Sequence, residues 1–408
     1  MLNSIEIKIP GKLILSGEWS VLETGNSCIV LPVNKYLTVK IKSNENIVFH
    51  AEDINIKDLI LAFDGKQLNT GKNLNKIEYE KFFLAKTTIE TTFKFLLEKK
   101  ISIKNFELSI ESEISKIHLK NGSFTKIGLG SSAATVVGII SAILKFHDFE
   151  IELQNSKDII FKLGAIAHYI AQNKCGSGVD IASCTYQQPL SYKRFDPIWL
   201  ENKLQTKNNL NEIVKQKWPN LEITQIQIPK NLILCACFVG YSASTKYLIG
   251  KIQISENKEI IESINNIVKE LINIFGKKEL QLNRKLTYPF VLTFRLANAR
   301  SRLKVNKLSA HPEPVEGSNH TNNTNKEKVL NLIKENRKLL KQLNPNLETK
   351  ELTKLIDIAE SFGAAAKFSG AGGGDCAIAV CFDKDTAEKI CVKWKQEGFY
   401  PIDVFKTK

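Results

Sequence analysis

Apolar and polar positions alternate through the first forty residues. Ile5-Glu6-Ile7-Lys8-Ile9 and Tyr36-Leu37-Thr38-Val39-Lys40-Ile41 keep a period of two, which predicts strands with one buried face. Over residues 80–99 the apolar spacing lengthens to that of a helix, and 106–110 return to strand alternation. A glycine-rich turn, Gly128-Leu129-Gly130, opens an apolar helix over 132–146, and a second helix is expected at 157–171. A polar connection rich in Asn and Lys near 200–220 precedes a strand at 232–239. Helices are expected at 256–275, 327–343 and 352–362, followed by a glycine loop at 369–374 and a closing strand at 376–382.

A chain of 408 residues exceeds one ordinary core, so two domains are expected, 1–228 and 229–408. With 43% hydrophobic and 25% charged residues the composition is globular and excludes disorder throughout. One segment, 307–326, is polar, holds two prolines and four asparagines, and is expected to loop out as a disordered insertion. No apolar run approaches the roughly 20 residues of a membrane helix. Residues 1–10 carry no apolar signal-peptide core, so a cytoplasmic location is expected, with no membrane partner. The eight cysteines form no CxxC pair, and Cys235 and Cys237 sit in an apolar run, which fits a reducing compartment better than a zinc or disulfide framework. The formal charge of +14 attracts anions, whether nucleic acid, membrane or phosphorylated small molecules, and a merely solvated basic surface gives the same excess. Lysines are scattered and not interleaved with aromatics as in RNA-binding modules, so no nucleic-acid partner is expected.

Four stretches carry candidate chemistry. In Lys126-Ile127-Gly128-Leu129-Gly130-Ser131-Ser132-Ala133-Ala134, two glycines let the backbone turn tightly against a ligand, and the following helix offers unpaired N–H groups that favour anions. The same residues also fit a Ser-Ser helix cap or a GxGxxA dinucleotide fingerprint, although the polar residues 121–125 are a poor match for the buried strand the latter needs. No GxxxxGK[ST] motif occurs in the sequence. In Ser369-Gly370-Ala371-Gly372-Gly373-Gly374-Asp375, four glycines in five residues cost conformational entropy that only close backbone approach justifies. Lys12, in Pro10-Gly11-Lys12-Leu13-Ile14-Leu15, stands in an apolar strand-like run and needs an anionic partner. Gly176-Ser177-Gly178-Val179-Asp180 places a carboxylate behind a flexible turn, a common surface pattern when alone.

Together these stretches resemble the GHMP kinases, whose three signature regions occur here in family order at 10–18, 128–134 and 369–375, and the resemblance spans nearly the whole chain. That resemblance implies an α+β, two-domain GHMP kinase fold: an N-terminal domain like ribosomal protein S5 domain 2 and a C-terminal ferredoxin-like α/β domain. It implies ATP held by Gly128, Leu129, Gly130, Ser131, Ser132, Ala133, Gly372 and Gly373, a magnesium ion at Ser132, and a catalytic set of Lys12, Asp180 and Lys126. The stretch 167–180, with Tyr169 where mevalonate kinases tend to carry a metal-binding Glu, resembles the branch that phosphorylates phosphomevalonate. For that branch the resemblance implies ATP and 5-phosphomevalonate as substrates, with Ser177, Ser244, Thr245, Lys246 and Arg194 holding the acceptor; mevalonate kinase or another GHMP small-molecule kinase is the alternative. Two positions depart from the pattern: Trp19 stands where many members have His, and Asn173 where this branch has Gly.

Overall fold

The computed structural model describes residues 4–71, 74–119, 122–174, 176–206, 209–242, 248, 252, 256–278 and 317–402. In chain order the strands are β1 (Ile5–Ser16), β2 (Ser27–Ser43), β3 (Ile47–Ala51), β4 (Ile56–Phe63), β5 (Leu68–Thr70), β6 (Phe106–Ser112), β7 (Lys116–His118), β8 (Phe124–Lys126), β9 (Leu190–Lys193), β10 (Glu222–Ile226), β11 (Ile233–Phe238), β12 (Lys277–Lys278), β13 (Ala365–Ser369), β14 (Cys376–Cys381) and β15 (Tyr400–Ile402). The helices are α1 (Lys76–Glu98), α2 (Ser131–Phe146), α3 (Gln154–Ala171), α4 (Val179–Tyr186), α5 (Pro197–Gln205), α6 (Leu210–Lys215), α7 (Lys258–Phe275), α8 (Gly317–Leu343), α9 (Lys350–Ser361) and α10 (Lys384–Gln396).

The N-terminal half is a nine-stranded sheet in the order β12-β10-β9-β2-β6-β3-β4-β5, with β1 paired to β2. All its pairings are antiparallel except β3 with β6. Helices α1 to α4 pack together on it, and α2 lies on β1 and β2. The contact is close enough that a Cβ at Gly138 would fall 2.6 Å from Val39 Cγ2.

The C-terminal half is a four-stranded antiparallel sheet, β13-β14-β11-β15. Counted from β11 the strand order is 2-3-1-4, and with α9 and α10 as crossovers this is the ferredoxin-like βαββαβ arrangement. Period-two alternation on β11 divides its two faces. Leu234, Ala236 and Phe238 join the core that continues into the N-terminal half, whereas Cys235 and Cys237 face the separate core built around Trp394, Leu355 and Phe368. The chain beyond 228 also reaches back, since β12 closes an edge of the N-terminal sheet.

Residues 307–316 of the expected insertion lie outside the described residues. From Gly317 the chain is helical, so the disorder expected for 317–326 is not found there. The core anchors Val329, Leu332 and Ile333 lie further along α8, and in its leading turns Asn323, Thr324 and Asn325 are exposed. Composition registers those turns only as residues that bury nothing. Among the described residues no helix is long and apolar enough to cross a membrane.

Candidate active site

The turn between β8 and α2 is plugged into the core by Ile127 and Leu129, which are fully buried. Gly130, at φ 82°, occupies the cap position of α2, and no side chain caps the helix. Ser131 and Ser132 are therefore the first residues of the helix and not its cap, which removes the purely structural reading of the serines. The uncapped N–H groups and the dipole of this 16-residue helix favour an anion at its end. Ala133 is buried in the core and offers only its backbone.

Lys12 reaches this turn because β1 carries an irregularity between Pro10 and Lys12. A Cβ at Gly11 would lie 3.0 Å from the Leu129 carbonyl oxygen, so glycine lets the strand close on the loop, and the Lys12 N–H donates to that carbonyl at 2.9 Å. The Lys12 ammonium lies 3.2 Å from Asp180 Oδ1, with its stem against Gly130. Burial disfavours this ammonium, but the charge and hydrogen bond of Asp180, assisted by the charge of Asp375, outweigh it and hold its pKa above the ordinary lysine value. The partner that an apolar strand demanded for Lys12 is thus Asp180, in the first turn of α4.

Asp180 is set by the turn before it. Gly178 has φ 83°, and a Cβ there would meet the Tyr192 hydroxyl at 2.7 Å; that hydroxyl donates to the Ser177 carbonyl at 2.6 Å. The Ser177 side chain is buried beside the Val179 N–H. Arg194 donates through one nitrogen to the Gly176 carbonyl of this turn and through another to the Leu22 carbonyl, which ties the turn to the segment after β1. Asn173 and Lys174 both have positive φ, 53° and 64°, which accounts for the Gly expected at 173: asparagine tolerates the left-handed region better than most residues.

The glycine loop at 369–375 is anchored from two sides. Gly373 donates its N–H to the Leu347 carbonyl at 2.7 Å, and a Cβ at Gly372 would strike the same oxygen. Asp375 of this loop meets the turn at Gly128. A Cβ on Gly128 would fall 2.3 to 2.6 Å from its carboxyl atoms, and Ser242 Oγ donates to Asp375 Oδ1 at 2.6 Å. Ser244, Thr245 and Lys246 lie outside the described residues.

A cavity of about 330 Å³ adjoins the start of α2. Phe49, Ile54, Leu84 and Ile110 give it apolar walls, and Lys126, Ser131 and Ser132 border it. Lys126 is exposed there. Asp53 also lines the cavity, and its Oδ2 is buried with no hydrogen-bond partner among the described residues. Sequence reasoning missed Asp53, Asp375 and His168, whose Nε2 lies 3.4 Å from Ser132 Oγ. Asp375 alone carried a signal, since it directly follows the glycine run.

A two-domain α+β chain with an uncapped helix start, a lysine–aspartate pair and a glycine hairpin converging on one anion site has the build of a small-molecule kinase. Residues 85–188 match the family description "GHMP kinases N terminal domain" and 323–400 match "GHMP kinases C terminal". The chain belongs to the GHMP kinases. Its relatives include the phosphomevalonate kinase of Streptomyces sp. (strain CL190), 25% identical with 96% of this chain and 94% of that one covered. The mevalonate kinase of Methanocaldococcus jannaschii is 26% identical with 94% of each covered. The structure of Streptococcus pneumoniae phosphomevalonate kinase in complex with phosphomevalonate and AMPPNP superposes with a TM-score of 0.72 at 21% identity, covering 98% of this chain and 100% of that one.

Proposed function

We propose that this protein transfers the γ-phosphoryl group of ATP to the phosphate of 5-phosphomevalonate, giving 5-diphosphomevalonate. The observation that carries this reading is the Lys12–Asp180 pair, 3.2 Å apart, beside the uncapped start of α2. The acceptor is chosen on Tyr169, a buried aromatic where the alcohol-phosphorylating branch tends to carry a metal-binding carboxylate.

The ATP phosphates lie on the backbone from Gly128 to Ala133, with the base in the apolar cavity and its exocyclic amine toward Asp53 Oδ2. Lys12 neutralises charge between the transferring phosphoryl group and the acceptor, and Lys126 adds positive charge at the cavity rim. Asp180 holds the ammonium in place. Positioning and charge neutralisation supply most of the rate in such a transfer. Ser177 and the segment 244–246 hold the acceptor phosphate, and Arg194 keeps the turn at Ser177 in register. Magnesium suits the oxygen donors present, Ser132 with the nearby carboxylates of Asp180 and Asp375, since it is usually bound by one or two protein oxygens together with substrate phosphates, whose charge it offsets. The two halves, 1–228 and 229–408, both contribute to this site, the first with Lys12 and Asp180 and the second with Asp375, and a cytoplasmic location fits substrates of this kind.

An ADP-release assay with phosphomevalonate, mevalonate, galactose and homoserine tests the assignment. Turnover is expected with phosphomevalonate alone. Turnover with mevalonate in its place would select the second reading, a mevalonate kinase, for which the similarity to the Methanocaldococcus enzyme speaks.

A further inference from the structure

Strands β1 and β13 belong to different sheets, yet they are joined by a run of buried polar contacts. Ile14 donates its N–H to Ser369 Oγ at 2.9 Å, and the same hydroxyl donates to the Ile14 carbonyl at 2.9 Å. Beside them, Ser16 Oγ of β1 donates to Asn336 Oδ1 of helix α8 at 3.1 Å. Lys367 donates to Glu18 Oε1 and, at 2.7 Å, to the Phe368 carbonyl. Lys367 is 0% exposed and Glu18 1%.

Stability does not account for this ion pair. Removing two charges from water costs about what their attraction returns, and well-packed apolar replacements are often neutral or better. The second carboxylate oxygen, Glu18 Oε2, is buried without a partner among the described residues, which costs more. The next residue, Trp19, is held at φ 62°, an outlier for so bulky a side chain. Burial pulls the Lys367 pKa below its ordinary value against the opposing pull of Glu18, as a desolvated pair requires. A costly pair beside a strained residue points to placement as its role.

What it places is clear from the chain on either side. Lys12 lies on β1 two residues before Ile14, and the loop that carries Asp375 onto Gly128 starts directly after Ser369. We propose that Glu18 and Lys367 are positioning residues for phosphoryl transfer: their ion pair locks β1 against β13 and fixes Lys12 relative to the Asp375 loop. This rests on the kinase reading above.

The test is the double variant Glu18→Leu/Lys367→Met, which leaves no unpaired buried charge, with folding checked by circular dichroism and melting temperature. Hydrogen–deuterium exchange of residues 370–375 without substrates is expected to quicken at least about tenfold. A displacement of about 1 Å can cost about 100-fold in rate, so kcat should fall at least about tenfold while KM for ATP moves less than about threefold. A folded double variant with kcat within about threefold of wild type overturns the proposal. If the double variant does not fold, Ser369→Ala removes one hydroxyl from the same run of contacts; kcat lowered at least about threefold supports the proposal, and unchanged kcat overturns it. A wild type that phosphorylates no acceptor would defeat the proposed reaction instead. The exchange of 370–375 then decides alone, faster exchange supporting the positioning role and unchanged exchange overturning it.

Discussion

The carboxylate of Asp375 lies directly on Gly128, so close that a Cβ at 128 would fall 2.3 Å from Asp375 Cγ. The carboxylate has little room to retreat, because Ser242 holds one oxygen at 2.6 Å and the backbone of Asp375 bonds to Tyr241 and Val239. Gly128→Ala should therefore disturb the phosphate loop and lower kcat/KM for ATP about tenfold or more, a loss of at least about 1.4 kcal/mol in transition-state binding. The loss caused by Gly128→Ala should be smaller in an Asp375→Ala background, since the clash is with this one side chain. Strictly additive losses in the double-mutant cycle would show that the contact is incidental.

Lys12→Met should leave the fold intact, because the carboxylate it abandons on Asp180 is about one-third exposed and stays solvated. Removing a cation aimed at developing charge costs about 100- to 1,000-fold in kcat by analogy with oxyanion-hole donors. Near wild-type turnover by a folded Lys12→Met protein would refute its catalytic role.

Lys12 and Asp375 differ in how far the sequence exposes them. The partner of Lys12 could be demanded from sequence, because an ammonium in an apolar run is unstable alone, and the loop at 128–132 was legible because glycine spacing and the helix that follows are local. Asp375 could not be placed that way: its contact with Gly128 spans the two halves of the chain. The Glu18–Lys367 pair is 349 residues apart in sequence, and each partner alone reads as a solvated charge. Asp53 acquires meaning only from the cavity that folding closes around it. The polar turns at 317–326 failed in the opposite sense, since composition registers the absence of a core face but not the helix that Val329 and Ile333 anchor downstream.

Asp53 should select the nucleobase. Adenine presents an amino group where guanine presents a carbonyl oxygen, and only the first can donate to a carboxylate. Asp53→Leu should raise KM for ATP by about ten- to a hundredfold, the worth of one hydrogen bond to a charged group, and should narrow the preference for ATP over GTP. Steady-state kinetics with both nucleotides checks this, and an unchanged ATP-to-GTP ratio would remove Asp53 from the base site.

Away from the site, His147 sets a pH limit on stability. Its Nε2 accepts the Lys104 N–H at 3.1 Å and its Nδ1 bonds the Ile143 carbonyl at 2.8 Å, an arrangement that needs the neutral imidazole. Burial lowers its pKa; the Ile143 bond and Asp148 oppose the shift, and Lys104 reinforces it. Since the folded value lies below the unfolded value of about 6.5, the unfolded chain binds the extra proton first. Its stabilising effect is full above that value and is lost as pH falls through the lowered folded one. Melting temperatures of wild type and His147→Gln should converge or cross as pH drops from 8 to 5, and a constant difference between them would exclude the imidazole as the cause.

Asp180 separates a phosphate acceptor from an alcohol acceptor. An alcohol is protonated at neutral pH and gains from a positioned base. A phosphomonoester has its second pKa near about 6, so its attacking oxygen is already largely deprotonated at pH 7. A carboxylate beside that dianion would repel it without compensation, and the compensation is at hand in the Lys12 ammonium 3.2 Å away. Asp180 should thus act chiefly by holding Lys12. Asp180→Asn keeps the shape and one hydrogen bond to Lys12, and should retain measurable turnover of phosphomevalonate. Its loss relative to wild type should vary little above pH 7, because no proton needs removing there. The measurement is kcat against pH for both proteins, with folding checked by circular dichroism. A residual rate that climbs tenfold per pH unit from 7 to 9, while wild type stays flat, would mean that proton removal is the missing step. Asp180 would then be a general base, and the acceptor would be an alcohol.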